Sequence, residues 1–145
     1  MALVIGLIES IPPSQDAREA ASKLKTATEV NFGGGGVAGR ISEAEDNLFV
    51  ILSSHRGEDL LFEVFESGSP EAKTYALCGL HYIASRRFER YADQFAAENV
   101  KIQTLSGCIG GEQNSATIVA TIRTNIFEHY LPLRKEAEDH RRKSQ

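Results

Sequence analysis

Apolar residues recur at intervals of three or four positions through most of the chain between residues 42 and 98. This spacing places them on one face of an α-helix, and that face must then be buried against another element. The pattern predicts four consecutive helices, over residues 42–53, 57–67, 70–84 and 86–98. Because short connections join them, neighbouring helices are expected to pack antiparallel.

Local signals mark the ends of these helices. Ser42 and Glu45 have the spacing of a capping box, in which the Ser42 side chain accepts a hydrogen bond from the Glu45 amide. Ser69 followed by Pro70 supplies an N-cap and a proline at the first helical position. Gly79, in the middle of a helix, costs about 1 kcal/mol relative to alanine. Its presence predicts close contact with a neighbouring helix.

Two further helices flank this central part. Residues 14–27 have an alanine-rich apolar face, and residues 115–130 have a long apolar stripe with helical period. Residues 28–32 suggest a short connector or strand, residues 100–105 suggest a short extended piece, and residues 106–111 suggest an irregular loop. We expect one mainly all-α domain over residues 1–145, with Gly-rich loops and stacked antiparallel helical hairpins, similar to HEAT-like repeats although no strict period is present.

Composition bounds the class of protein. A chain of 145 residues suits one domain, and 41% hydrophobic with 25% charged residues is ordinary for a globular protein. The net charge of −4 argues against a nucleic-acid partner, and no apolar run approaches the ~20 residues of a membrane span. We therefore expect no nucleic-acid binding and no membrane span.

The two ends of the chain carry separate expectations. Residues 1–13 begin with a short apolar segment, interpreted as a short N-terminal strand or core-packed piece, or as the remnant of a signal peptide. Without a complete signal peptide the expected location is cytoplasmic, and it becomes periplasmic or secreted if the true start lies upstream. Residues 134–145 form a charged tail.

Glycines concentrate in residues 33–39, where Gly34, Gly36 and Gly39 satisfy the G-x-G-x-x-G spacing of a dinucleotide-binding loop. Such a site also needs a second parallel strand that carries an acid about 20 residues further on. Glu58 and Asp59 lie at that distance but in a predicted helix. The pattern therefore favours a flexible loop, with nucleotide binding as an alternative.

The two cysteines leave several interpretations open. Cys78 and His81 share one face of a predicted helix, and with Cys108 they could supply three soft ligands to zinc or copper. Cys78 and His81 could also act as nucleophile and base. The other interpretations are a buried structural cysteine beside a partly exposed histidine, and a Cys78–Cys108 disulfide. No fourth ligand is evident, so neither a metal nor a cofactor is predicted.

The segment from Tyr75 to Leu80, followed by Ser106–Cys108, resembles a pattern of uncharacterised bacterial helical proteins, many of them exported. Their Gly-x-Ala-Gly loop before a capped helix is matched by residues 36–39 and Ser42. The resemblance implies an α-helical fold and favours the Cys78–Cys108 pairing, and it implies no activity. A more distant resemblance connects small helical proteins of this kind to bacterial inhibitor and immunity proteins.

The leading hypothesis is a non-catalytic module that binds another protein through helical surface and glycine loops, because such loops often carry function. The alternative is a small enzyme or ligand carrier with a site around Cys78, His81 and Cys108. The residues expected at the interaction surface are Gly34, Gly36, Gly39, Tyr75, His81, Tyr82, Gly107 and Gly110.

Overall fold

The computed structural model describes residues 11–34, 41–106, 108–125 and 127. This part of the chain contains six helices and one β-hairpin, so the expected mainly helical fold is confirmed and a small sheet is added. In chain order the elements are α1 Gln15–Leu24, α2 Glu43–Leu52, α3 Gly57–Ser67, α4 Pro70–Tyr82, α5 Phe88–Glu98, β1 Lys101–Ser106, β2 Ile109–Asn114 and α6 Ser115–Arg123.

Side-chain caps begin most of the helices. Ser14, Ser42 and Ser69 precede α1, α2 and α4, and each accepts a hydrogen bond from the amide three residues further on. Asn114 caps α6 in the same manner, through the amide of Ala116. These bonds satisfy amides that the first helical turn leaves without partners, which fixes where each helix starts.

Helices that follow one another in sequence form the closest pairs: α1 with α2, α3 with α4, and α5 with α6. Helix α4 lies at the centre, and its residues from Thr74 to Leu80 are all buried. A methyl group added at Gly79 would stand 2.9 Å from Leu61 Cδ1 and 3.1 Å from Leu48 Cδ1. The close helix contact predicted at Gly79 is therefore confirmed.

The sheet is an antiparallel hairpin whose register runs from Lys101 opposite Asn114 to Ser106 opposite Ile109. Val30 joins the other side of β1 through one parallel bridge to Thr104. The extended piece expected near residues 100–105 is thus present as β1, whereas within residues 28–32 only Val30 makes a strand-type bridge. The irregular loop expected over residues 106–111 is wrong, because Ser106 is the last residue of β1 and residues 109–111 are the first three of β2.

Helix α6 is shorter than predicted. It ends at Arg123 and not near residue 130, because Asn125 takes a left-handed conformation with φ 64° that an α-helix cannot contain. The expectations for residues 1–10 and for residues 134–145 lie outside the described residues. Within the described ranges no helix has both the length and the apolar character needed to cross a membrane.

Candidate functional site

The first glycine loop begins after a buried polar residue and ends at a helix cap. Asn31 is 4% exposed, and Gly33 and Gly34 follow it with φ of 80° and 98°, which glycine adopts without strain. The described chain resumes at Ile41, directly before the Ser42 cap of α2. Both ends of the loop therefore meet at the start of α2.

Helix α4 holds the first end through Tyr75. The Tyr75 hydroxyl accepts a hydrogen bond from the Asn31 N–H at 2.7 Å and donates one to the Asn31 carbonyl oxygen at 3.0 Å. The Ser42 hydroxyl donates to the same carbonyl oxygen at 3.2 Å while accepting from the Glu45 N–H at 3.1 Å. One residue before the loop is thus bonded to α4 and to the residue that follows the loop.

Glu45 makes a second connection between the two ends. Its carboxylate is 1% exposed and accepts a hydrogen bond from the Gly33 N–H, with its two oxygens at 3.2 and 3.4 Å. The carboxylate lies in the first turn of α2, where the helix dipole favours negative charge. We call Asn31, Gly33, Ser42, Glu45 and Tyr75 the loop-base cluster.

Burial of the loop-base cluster changes the pKa of Tyr75. Desolvation raises the pKa of Tyr75 to about 12, although the hydrogen bond with Asn31 acts in the opposite direction. The Asn31 Oδ1 atom is buried and has no hydrogen-bond partner among the described residues. Buried polar atoms in native proteins nearly always have a partner, so an unsatisfied atom at this point requires an explanation.

A groove of about 340 Å³ lies beside the cluster, between the connection that follows α1 and the first turns of α2. Its first wall is fixed by Ser69, whose hydroxyl donates to the Ala27 carbonyl oxygen at 2.6 Å and whose N–H donates to the Lys25 carbonyl oxygen at 3.0 Å. Ile41, which precedes the α2 cap, is 43% exposed. The residues that line the groove are Lys23, Thr26, Ala27, Thr28, Glu29, Ser42, Glu43, Ala44 and Asn47.

The residues predicted for an interaction surface are distributed differently. Tyr75 is fully buried in the core, so its assignment to a surface is wrong. Tyr82 is exposed at the end of α4, Gly110 is exposed in β2, and Gly34 is half-buried. His81 is half-buried, and its ring makes an edge-to-face contact with the Phe88 ring, with the two centroids 4.7 Å apart. Three of the predicted residues, Gly36, Gly39 and Gly107, lie outside the described residues.

The cysteines are not brought together. Cys78 is fully buried in α4, Cys108 is exposed in the hairpin connection, and the two do not form the disulfide that the sequence left open. The reason is topological, because Cys78 faces the packed helices whereas Cys108 stands at the tip of β1 and β2. In the described part of the chain, no group of three His, Cys, Asp or Glu side chains could hold a metal ion.

The arrangement required for a dinucleotide is not formed in the described ranges. Helix α2 is followed by α3 and not by a strand, and Glu58 and Asp59 lie in the first turn of α3. Within residues 11–34, upstream of the loop, strand pairing is limited to the single bridge of Val30.

Sequence reasoning identified part of the loop-base cluster. The spacing of Ser42 and Glu45 predicts the cap of α2. It does not predict the hydrogen bond from the Gly33 N–H to the Glu45 carboxylate, because a capping box gives no information about contacts outside the helix. No local signal singles out Asn31. Comparison with family models, with curated proteins and with solved structures finds no match.

Proposed function

We propose that the protein is a non-catalytic binding module that recognises another protein at the groove and at Ile41. The observation that carries this proposal is the loop-base cluster, which joins both ends of the first glycine loop to the core. Loops that present binding residues are commonly held by a rigid scaffold in this way. The chain places buried polar residues at this position despite the cost of burying them, as is common at functional sites.

The chemistry of the groove suits a polypeptide ligand. Its lining combines hydroxyl, amide and charged side chains with two alanines, so hydrogen bonds to a peptide backbone are available on both walls. Ile41, which directly precedes the lining residue Ser42 in the sequence, adds an exposed apolar side chain. An apolar contact beside polar hydrogen-bonding groups is the usual composition of an interface between proteins.

Substitution of Thr28 tests the proposal. Thr28 is exposed and lines the groove, so Thr28→Arg should fill the groove without disturbing the core. The matched control is Thr117→Arg, at an exposed position of α6 away from the groove. Affinity capture with each purified protein, followed by titration calorimetry with the captured partner, should show binding by the wild type and by Thr117→Arg, and loss of binding by Thr28→Arg.

A second pair of variants tests the contribution of Ile41. Ile41→Ser should weaken binding of the same partner, whereas Ile109→Ser, at an exposed isoleucine of β2, should not. A partner that binds all four variants equally would contradict the assignment of the surface. Failure of the wild type to retain any partner under mild washing would contradict the function itself.

We further propose a HEAT-like arrangement of the helices, in which each stacked helix pair contacts only its neighbours. The formation of three helix pairs supports this arrangement. A partner that proves to be a toxin or a hydrolase would support the inhibitor or immunity type.

A further inference from the structure

The outer edge of β2 presents backbone groups that have no partner among the described residues. Gln103 accepts a hydrogen bond from Val30 and donates one to the Glu71 carboxylate, so its backbone points away from β2. Residues 102, 104 and 106 therefore point towards β2 and bond to residues 113, 111 and 109. It follows that the N–H and carbonyl groups of Gly110 and Glu112 point outwards.

Nothing in the described part of the chain covers this edge. The sheet has two strands, no described backbone group bonds to Gly110 or Glu112 on the outer side, and the first five residues of β2 are exposed. Natural proteins usually protect such an edge with charged side chains, above all lysine, with a proline or with a bulge. Strand β2 contains neither lysine nor proline, and its register with β1 is continuous. Its one charged residue is Glu112, whose carboxylate contacts Gln103 and Lys101 of β1.

We propose that β2 pairs with β2 of a second copy of this chain, antiparallel and about a two-fold axis at Gly111. This pairing places Gly110 opposite Glu112 of the partner copy, and Glu112 opposite Gly110 of the partner copy. The outward N–H and carbonyl groups of these residues then form four hydrogen bonds. Gly111 then lies opposite Gly111 of the partner copy in a non-hydrogen-bonded pair, where the two strands come close together and neither residue has a side chain. The edge is self-complementary, as an isologous interface requires.

Charge selects this register over its neighbours. A shift that sets Glu112 opposite Glu112 of the partner copy brings like charges together, which destabilises a strand pair. A shift that sets Gly110 opposite Gly110 leaves Glu112 beyond the paired region. The proposed register also places the exposed Ile109, at 77%, opposite the Gln113 side chain. Because the contact is limited to one strand of each copy, we expect a weak dimer.

A proline tests the pairing without disturbing the hairpin. Gly110→Pro removes an outward N–H, and a Cβ atom at this position would have Thr104 O at 3.9 Å as its nearest neighbour. Gly110→Ala is the control, because it adds the same atom and keeps the N–H. With reductant present to prevent oxidation of the exposed Cys108, sedimentation velocity should show concentration-dependent dimers for the wild type and Gly110→Ala, and monomers for Gly110→Pro.

Hydrogen exchange of the wild type gives a second readout that needs no variant. The amides of Gly110 and Glu112 should become protected as the protein concentration rises, and those of Gly111 and Gln113 should be protected at every concentration. In the dimer, Cys108 faces position 114 of the partner copy, and six residues separate positions 108 and 114. The Cα atoms of the two Cys108 residues should therefore lie about 20 Å apart, which nitroxide labels on Cys108 can test. A chain that stays monomeric near millimolar concentration overturns the proposal, as does a dimer that Gly110→Pro leaves intact.

Discussion

Replacing Tyr75 with phenylalanine tests the loop-base cluster directly. The substitution removes one oxygen atom and keeps the ring, so the packing of the ring against Phe32, with centroids 5.0 Å apart, is retained. Both hydrogen bonds between the hydroxyl and Asn31 are lost. The Asn31 carbonyl oxygen keeps the Ser42 hydroxyl, but the buried Asn31 N–H loses the partner described for it.

The expected cost follows from this asymmetry. A buried donor left without a partner costs about 1–3 kcal/mol, because it has lost its water and gained nothing. We therefore expect Tyr75→Phe to lower the free energy of unfolding by about 2 kcal/mol. For a domain of this size that corresponds to a decrease in Tm of roughly 4–8 °C.

Urea unfolding, monitored by far-ultraviolet circular dichroism, measures the change. The control is Tyr82→Phe at the exposed end of α4, where a surface substitution should change stability by less than about 0.5 kcal/mol. Equal stabilities of Tyr75→Phe and Tyr82→Phe would refute the reasoning, because the Tyr75 hydroxyl would then contribute nothing to the fold.

Three other predictions follow from the same structure. Burial raises the pKa of Tyr75 to about 12, so the stability that its neutral hydroxyl contributes is complete below pH 10 and is lost as the pH rises through 12. Urea unfolding across the alkaline range should then show that the free energy of unfolding falls by about 3 kcal/mol more for the wild type than for Tyr75→Phe. Ala84 has φ 55° and follows α4 in a Schellman motif, so Ala84→Gly should raise the free energy of unfolding by about 0.5–1 kcal/mol. Ala120→Gly within α6 should instead lower it by about 1 kcal/mol, and urea unfolding of both variants checks these opposite signs. Burial raises the pKa of Glu71 above its ordinary 4.5, so this carboxyl contributes stability at acidic pH that is lost as the pH rises. Glu71→Gln can still accept a hydrogen bond from the Gln103 N–H, so its free energy of unfolding, measured in urea, should rise relative to that of the wild type between acidic and neutral pH.

The helices were predictable because their signals are local. The caps at Ser42 and Ser69 and the stripes of α3 and α4 depend on residues within one or two turns, and the structure places those helices within two residues of the expected bounds. Gly79 was also informative, because a glycine inside a helix is costly unless a neighbouring element requires the space.

The strand β2 was not predictable, because its residues alternate in neither size nor polarity. Its sequence from Ile109 to Asn114 includes two glycines and three polar residues, which resembles a loop. Pairing with β1 supplies its hydrogen bonds, and that pairing depends on the register and not on the composition of β2. The end of α6 was missed for a similar reason, since the left-handed conformation of Asn125 interrupts an apolar pattern that continues beyond it.

The candidate site was predictable only in part. The assignment of the glycines of the first loop to an interaction surface stays a prediction, whereas Tyr75 was assigned to a surface because tyrosines often lie at interfaces. Its hydroxyl instead bonds to Asn31, a residue 44 positions away in the sequence. A contact of that separation cannot be derived from helical periodicity. The same limit applies to Glu45 and Gly33, which meet only after α2 has packed.

Amide hydrogen exchange at the loop base tests the central claim, that buried hydrogen bonds hold both ends of the first glycine loop and so support a binding surface. The amides of Asn31 and Gly33 should exchange far more slowly than those of an unstructured peptide, even though Gly33 is exposed. Tyr75→Phe should accelerate exchange at Asn31. Exchange of both amides at the unstructured rate in the wild type would contradict the account, because the loop would then have no fixed base.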